Sequence, residues 1–113
     1  MTEANLNLIR GTVDLLILKA LSGGERHGYA VSEWLRDATD GTLLVEEGTL
    51  YPALHRLDAK GWVESEWGLS DNNRRAKYYR LTAAGRAQLE TERRTWDLYA
   101  SAVEKALAED PAR

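Results

Sequence analysis

The stretch from Val45 to Glu66, VEEGTLYPALHRLDAKGWVESE, constrains this chain more than any other. Leu50, Ala53, Leu54 and Leu57 recur at spacings of three and four, so they share one face of a helix. The opposite face carries Thr49, Tyr51, Pro52, His55 and Arg56. A helix with only a structural role would fill such a face with Lys, Glu and Gln. Compact donors, an aromatic hydroxyl and one Arg suit a helix that lies against phosphates and base edges in a major groove. The plainer alternative is an ordinary solvated face.

The residues that follow favour the first reading. After Gly61, residues 62–67 alternate as a strand, with Val63, Ser65 and Trp67 on one side and Trp62, Glu64 and Glu66 on the other. A turn-rich segment, Gly68 to Ala76, leads to a second strand over residues 77–81. The hairpin tip then holds Arg74 and Arg75, and the return strand holds Lys77 and Arg80. Helix then basic hairpin is the order of a winged helix-turn-helix, in which the helix enters the major groove and the tip reaches the neighbouring backbone. A solvated hairpin tip is the bland counterpart.

Three further helices complete the expectation, a mainly α (α+β) fold. The first runs from about Gly11 to Leu21 and has almost no polar face, so it must be covered on all sides. The second spans His27 to Ala38, with Ala30, Val31, Trp34, Leu35 and Ala38 on one stripe. The third is the helix described above. Glu46 and Glu47 stand at its start, where Ser, Thr or Asp would cap better, and they would repel a phosphate there. Thr82 caps a last helix to about Glu109, roughly 40 Å long at about 1.5 Å per residue. Leu89, Trp96, Tyr99, Val103 and Ala106 form its seam, interrupted by Glu92, with Leu107 alongside. Such a seam needs a partner helix, and a symmetric dimer follows. Residues 1–81 are thus expected as the DNA-binding domain and residues 82–113 as the dimerisation helix.

Composition narrows the classes. The absence of cysteine excludes disulfides and thiolate metal sites and fits a reducing compartment. No apolar run is long enough to span a bilayer and no signal peptide opens the chain, so a cytoplasmic protein without a membrane partner is expected. The net charge of −3 argues against nucleic acid in total. Screening over about 8 Å makes the local field matter more, and residues 71–80 hold four cations against Asp71. His27 and His55 are the only histidines and lack carboxylate companions, so no metal or other cofactor is expected. No nucleophile–base spacing suggests an enzyme.

The four tryptophans divide unevenly. Trp34, Trp62 and Trp67 read as core or wing packing. Trp96 lies on the dimer seam, where two indoles either fill the interface or line a slot for a flat aromatic ligand, with Leu8, Asp97 and Tyr99 as neighbours.

The strings LILKAL, HGYAVSEWL, GTLYPALHRLDAKGWV and RRAKYYRLTAAGRAQL, in this order, resemble the PadR family of bacterial transcriptional regulators over about residues 8–90. The single C-terminal helix is similar to the family's short-tailed subgroup. The resemblance implies a homodimer on a palindromic double-stranded DNA operator, usually a repressor released by a small aromatic or drug-like molecule. By position it implies a phosphate-proximal role for Tyr29, recognition-helix roles for Thr49, Tyr51, Pro52, His55 and Arg56, and wing roles for Arg74, Arg75 and Lys77. Glu46-Glu47 departs from the Ser-Pro of many members. A winged helix that docks protein, with no operator, is the competing reading, and the acidic balance is its support.

Overall fold

The computed structural model describes residues 6–7 and 12–112. Helices α1 (Val13–Leu21), α2 (Gly28–Ala38) and α3 (Glu47–Ala59) pack on one another. Their meeting faces bury Ile17, Leu18, Leu21, Val31, Leu35 and the full predicted stripe of α3, Leu50, Ala53, Leu54 and Leu57. The three-four spacing leaves no other way to remove these side chains from water together. Ala38, predicted on the inner stripe of α2, is exposed, because the helix overhangs the core at its last turn.

Two seven-residue strands follow, β4 (Val63–Leu69) and β5 (Arg75–Leu81), paired antiparallel from Val63 opposite Leu81 to Leu69 opposite Arg75. Both run further toward the tip than the alternation suggested, and the turn shrinks accordingly. The Ser70 amide donates to the Arg74 carbonyl (2.8 Å) and Asn73 takes φ +60°, a left-handed position that Asn tolerates. A two-residue strand, β2 (Arg26–His27), adds to the far edge of β5 and makes a three-stranded sheet. It was not foreseen, since two residues carry no periodicity. A short parallel pairing joins β1 (Leu6–Asn7) to β3 (Leu43–Leu44), with Leu6 opposite Leu43 and Asn7 opposite Leu44.

The last helix, α4 (Ala83–Ala108), starts on a side-chain cap: the Gly85 amide donates to Thr82 Oγ1 (3.0 Å). The Thr82 hydroxyl in turn donates to the Gly61 carbonyl (2.6 Å), and its amide to that of Trp62 (3.1 Å), so the helix origin is pinned to the root of the hairpin. Leu89 packs against the core, and α4 leans on α1. Further along, Leu98, Tyr99, Val103 and Leu107 are exposed. Among the described residues no helix is long and apolar enough to cross a membrane.

Candidate nucleic-acid interface

On α3 the side chains opposite the buried stripe are in solvent: Thr49, Tyr51, Pro52, His55 and Arg56 are all exposed. The helix starts without help from its flanking side chain, for Glu46 makes no cap hydrogen bond. Pro52 sits inside the helix without breaking it, as its missing amide would have bonded only the Gly48 carbonyl near the open first turn.

Tyr51 leans toward the start of α2, where it is 42 % exposed. It fits there because residue 28 is glycine: a Cβ at Gly28 would lie 2.6 Å from Tyr51 Cε1 and 2.9 Å from its hydroxyl oxygen. Burial first, and then the Glu47 carboxylate, push the phenol pKa above its usual value. The hydroxyl therefore stays protonated and able to donate. Next to it, the Ala30 amide donates to His27 Nδ1 (3.1 Å), so His27 caps α2 and leaves the positive end of its dipole facing the same space.

The hairpin completes a groove of about 660 Å³ between itself, α2 and α3. Tyr29, Tyr51, Arg75 and Lys77 line it together, so four of the predicted residues, from three separate segments, converge. Arg74 stands exposed at the tip, outside this lining. Glu33 and Asp71 also border the groove and offset Arg75 and Lys77, so the outward cationic excess rests on Arg74.

Two predicted cations are engaged elsewhere. Arg80 points to the back of the sheet, where its Nε donates to Glu64 (2.9 Å) and its Nη1 to Glu66 (2.9 Å) and Glu25 (3.4 Å). The register that sets Glu64 opposite Arg80 is the reason, and those bonds raise the guanidinium pKa further. The local field around residues 71–80 is weaker than its count of cations implied. Arg56 donates to Asp14 of α1 instead of standing free on the exposed face of α3.

Trp67 packs on the wing, the second of its two expected places. It is 57 % exposed and lines the groove, with the Arg75 guanidinium 4.2 Å and the Lys77 ammonium 5.9 Å from its ring centroid. Cross-strand pairing of Trp67 with Lys77 explains this, and only a known register would have revealed it. The indole holds both cations in place by cation–π attraction, worth about 0.5–1 kcal/mol at an exposed site. Trp67→Ala should weaken binding to any duplex about threefold to fivefold, with Trp67→Phe retaining most of the affinity, as read by fluorescence anisotropy.

A second groove, about 620 Å³, runs between α1 and α4 and is lined by Leu15, Leu16, Leu43, Leu89, Trp96 and Asp97, with Lys19 and Arg93 at its border. Tyr99 is not in that lining but stands beside Trp96, ring centroids 6.2 Å apart. Leu8 lies outside the described residues.

Comparison with known proteins agrees with this geometry. The family model described as the transcriptional regulator PadR-like family matches residues 17–91. The chain is 40 % identical over 95 residues to transcriptional regulator Rv3488 of Mycobacterium tuberculosis, covering 83 % of this chain and 84 % of that one. A transcriptional regulator from Clostridium thermocellum superposes with a TM-score of 0.78 at 35 % identity, covering 86 % and 94 % of the two chains. A PadR-like transcriptional regulator from Bacillus cereus gives 0.73 at 29 % identity, covering 89 % and 96 %.

Proposed function

Because this chain belongs to the PadR-like family of transcriptional regulators, we propose that it acts as a homodimeric repressor on a palindromic DNA operator. The observation that carries this reading is the convergence of Tyr29, Tyr51, Arg75 and Lys77 on one groove beside the exposed face of α3. In this proposal Thr49, Tyr51, Pro52 and His55 meet the major groove. Tyr29 and the start of α2 meet one phosphate strand, and Arg74, Arg75 and Lys77 meet the next. Residues 1–81 form the DNA-binding unit and residues 82–113 the dimerisation helix.

The dimer is supported by α4, whose exposed Trp96, Tyr99, Val103 and Leu107 follow a three-four spacing along one face and stand open to water on a lone chain. The proposed effector is a flat aromatic molecule seated in the α1–α4 groove against Trp96, with Asp97 at its edge and Tyr99 alongside. Such a ligand changes DNA affinity only by its differential affinity for the two dimer shapes. Titrating flat aromatic dyes should quench tryptophan fluorescence in the wild type and not in Trp96→Ala. Equal quenching in both removes the slot.

The competing role, a winged helix that docks a protein, draws on Glu46 and Glu47, both exposed at the start of α3, and on the net charge of −3. A gel shift with the DNA upstream of the protein's own gene separates the two. Retardation that fades as salt is raised supports the repressor. No retardation at low salt supports the docking module.

A further inference from the structure

We infer that Asp14 is a positioning residue that withholds Arg56 from DNA, so that the Asp14–Arg56 ion pair lowers the affinity of the recognition helix. The inference rests on the reading that α3 faces a duplex. Successive helical residues are turned by about 100°, and relative to the buried stripe Pro52 and His55 point straight outward. Thr49 and Arg56 share one flank, and Tyr51 takes the other, toward α2. The flank holding Arg56 faces α1, where its Nη2 reaches Asp14 Oδ1.

Asp14 also has a place of its own in the fold, in the first turn of α1 at the positive end of that helix. Its side chain is 21 % exposed and that of Arg56 is 47 % exposed, so the pair sits at the rim of the core and open to an approaching strand. A surface pair of this kind is weak enough to be broken by a phosphate. If Arg56 stays, it adds no DNA contact. If it leaves, a carboxylate without its cation faces the duplex. Asp14 reduces the gain from Arg56 in both cases. The core between α1 and α3 already buries Ile17, Leu54 and Leu57 without help from this pair.

The test measures affinity for a labelled mixed-sequence duplex over a salt series, using wild type, Asp14→Asn, Arg56→Ala and the double variant. One added phosphate contact should tighten Asp14→Asn about fivefold to tenfold near 0.1 M salt and steepen the log–log salt slope by about 0.9. The steepening should vanish in the double variant. Asp14→Ser, which keeps a small polar group in the first turn, repeats the measurement should Asn disturb folding. An unchanged or weaker affinity of both Asp14 variants overturns the inference, and so does an equal gain with and without Arg56, which is the signature of a bulk field. Failure of the wild type to bind any duplex is a separate result: it removes the DNA-binding reading, and this inference with it.

Discussion

Replacing both Arg74 and Arg75 with alanine is expected to weaken binding to every duplex alike, by about 60-fold near 0.1 M salt, and to lower the salt slope by about 1.8. The two residues act from different places. Arg74 projects from the hairpin tip, while Arg75 lines the groove and is held over Trp67 at 4.2 Å. Neither has a carboxylate partner among the ion pairs of the described residues. Each would therefore displace counterions from the phosphate strand without first breaking an ion pair. Arg80→Ala is the control, because that side chain is already bound to Glu64, Glu66 and Glu25. It should leave the slope unchanged, whereas a slope lost with Arg80 and kept without Arg74 and Arg75 would move the DNA to the other face of the sheet.

Gly85→Ala is expected to destabilise the fold by at least about 3 kcal/mol, near the upper end of overpacking penalties, and to lower Tm by roughly 15 °C. Helix propensity alone predicts the opposite sign, a gain of about 1 kcal/mol from removing a glycine. Packing wins because a Cβ at this position would lie 1.9 Å from the Trp62 carbonyl oxygen. That oxygen is backbone, and it already accepts the Thr82 amide, so it cannot rotate away as a side chain would. The start of α4 must instead lift off the hairpin, breaking the Thr82 bonds to Gly61 and Trp62. Thermal unfolding at matched protein concentration checks this. An unchanged or raised Tm would mean that α4 is not seated against Trp62 as described.

The parts of the fold that periodicity reports were legible from the amino acids. Leu50, Ala53, Leu54 and Leu57 declare the inner face of α3, and by exclusion its outer one. Thr82 marks the start of α4 by its capping chemistry. What stayed hidden depends on register and on approach between distant segments. The edge strand Arg26–His27 is too short to alternate. The pairing of Glu64 with Arg80 removes one cation from the candidate site, and that of Trp67 with Lys77 adds an indole to it. Arg56 sits on the outer face of α3 by sequence but meets Asp14, 42 positions away, only once α1 and α3 have packed. Glycines 28 and 85 likewise look unremarkable until Tyr51 and Trp62 are seen against them.

A dimer acting as proposed sets two copies of α3 and its hairpin against one side of a duplex. A hydroxyl-radical footprint on the DNA upstream of the gene tests it most directly. Two protected patches are expected on the same face, about 34 Å apart between centres, one for each subunit of the dimer. A single patch, or uniform cleavage at protein concentrations that saturate the gel shift, would contradict it.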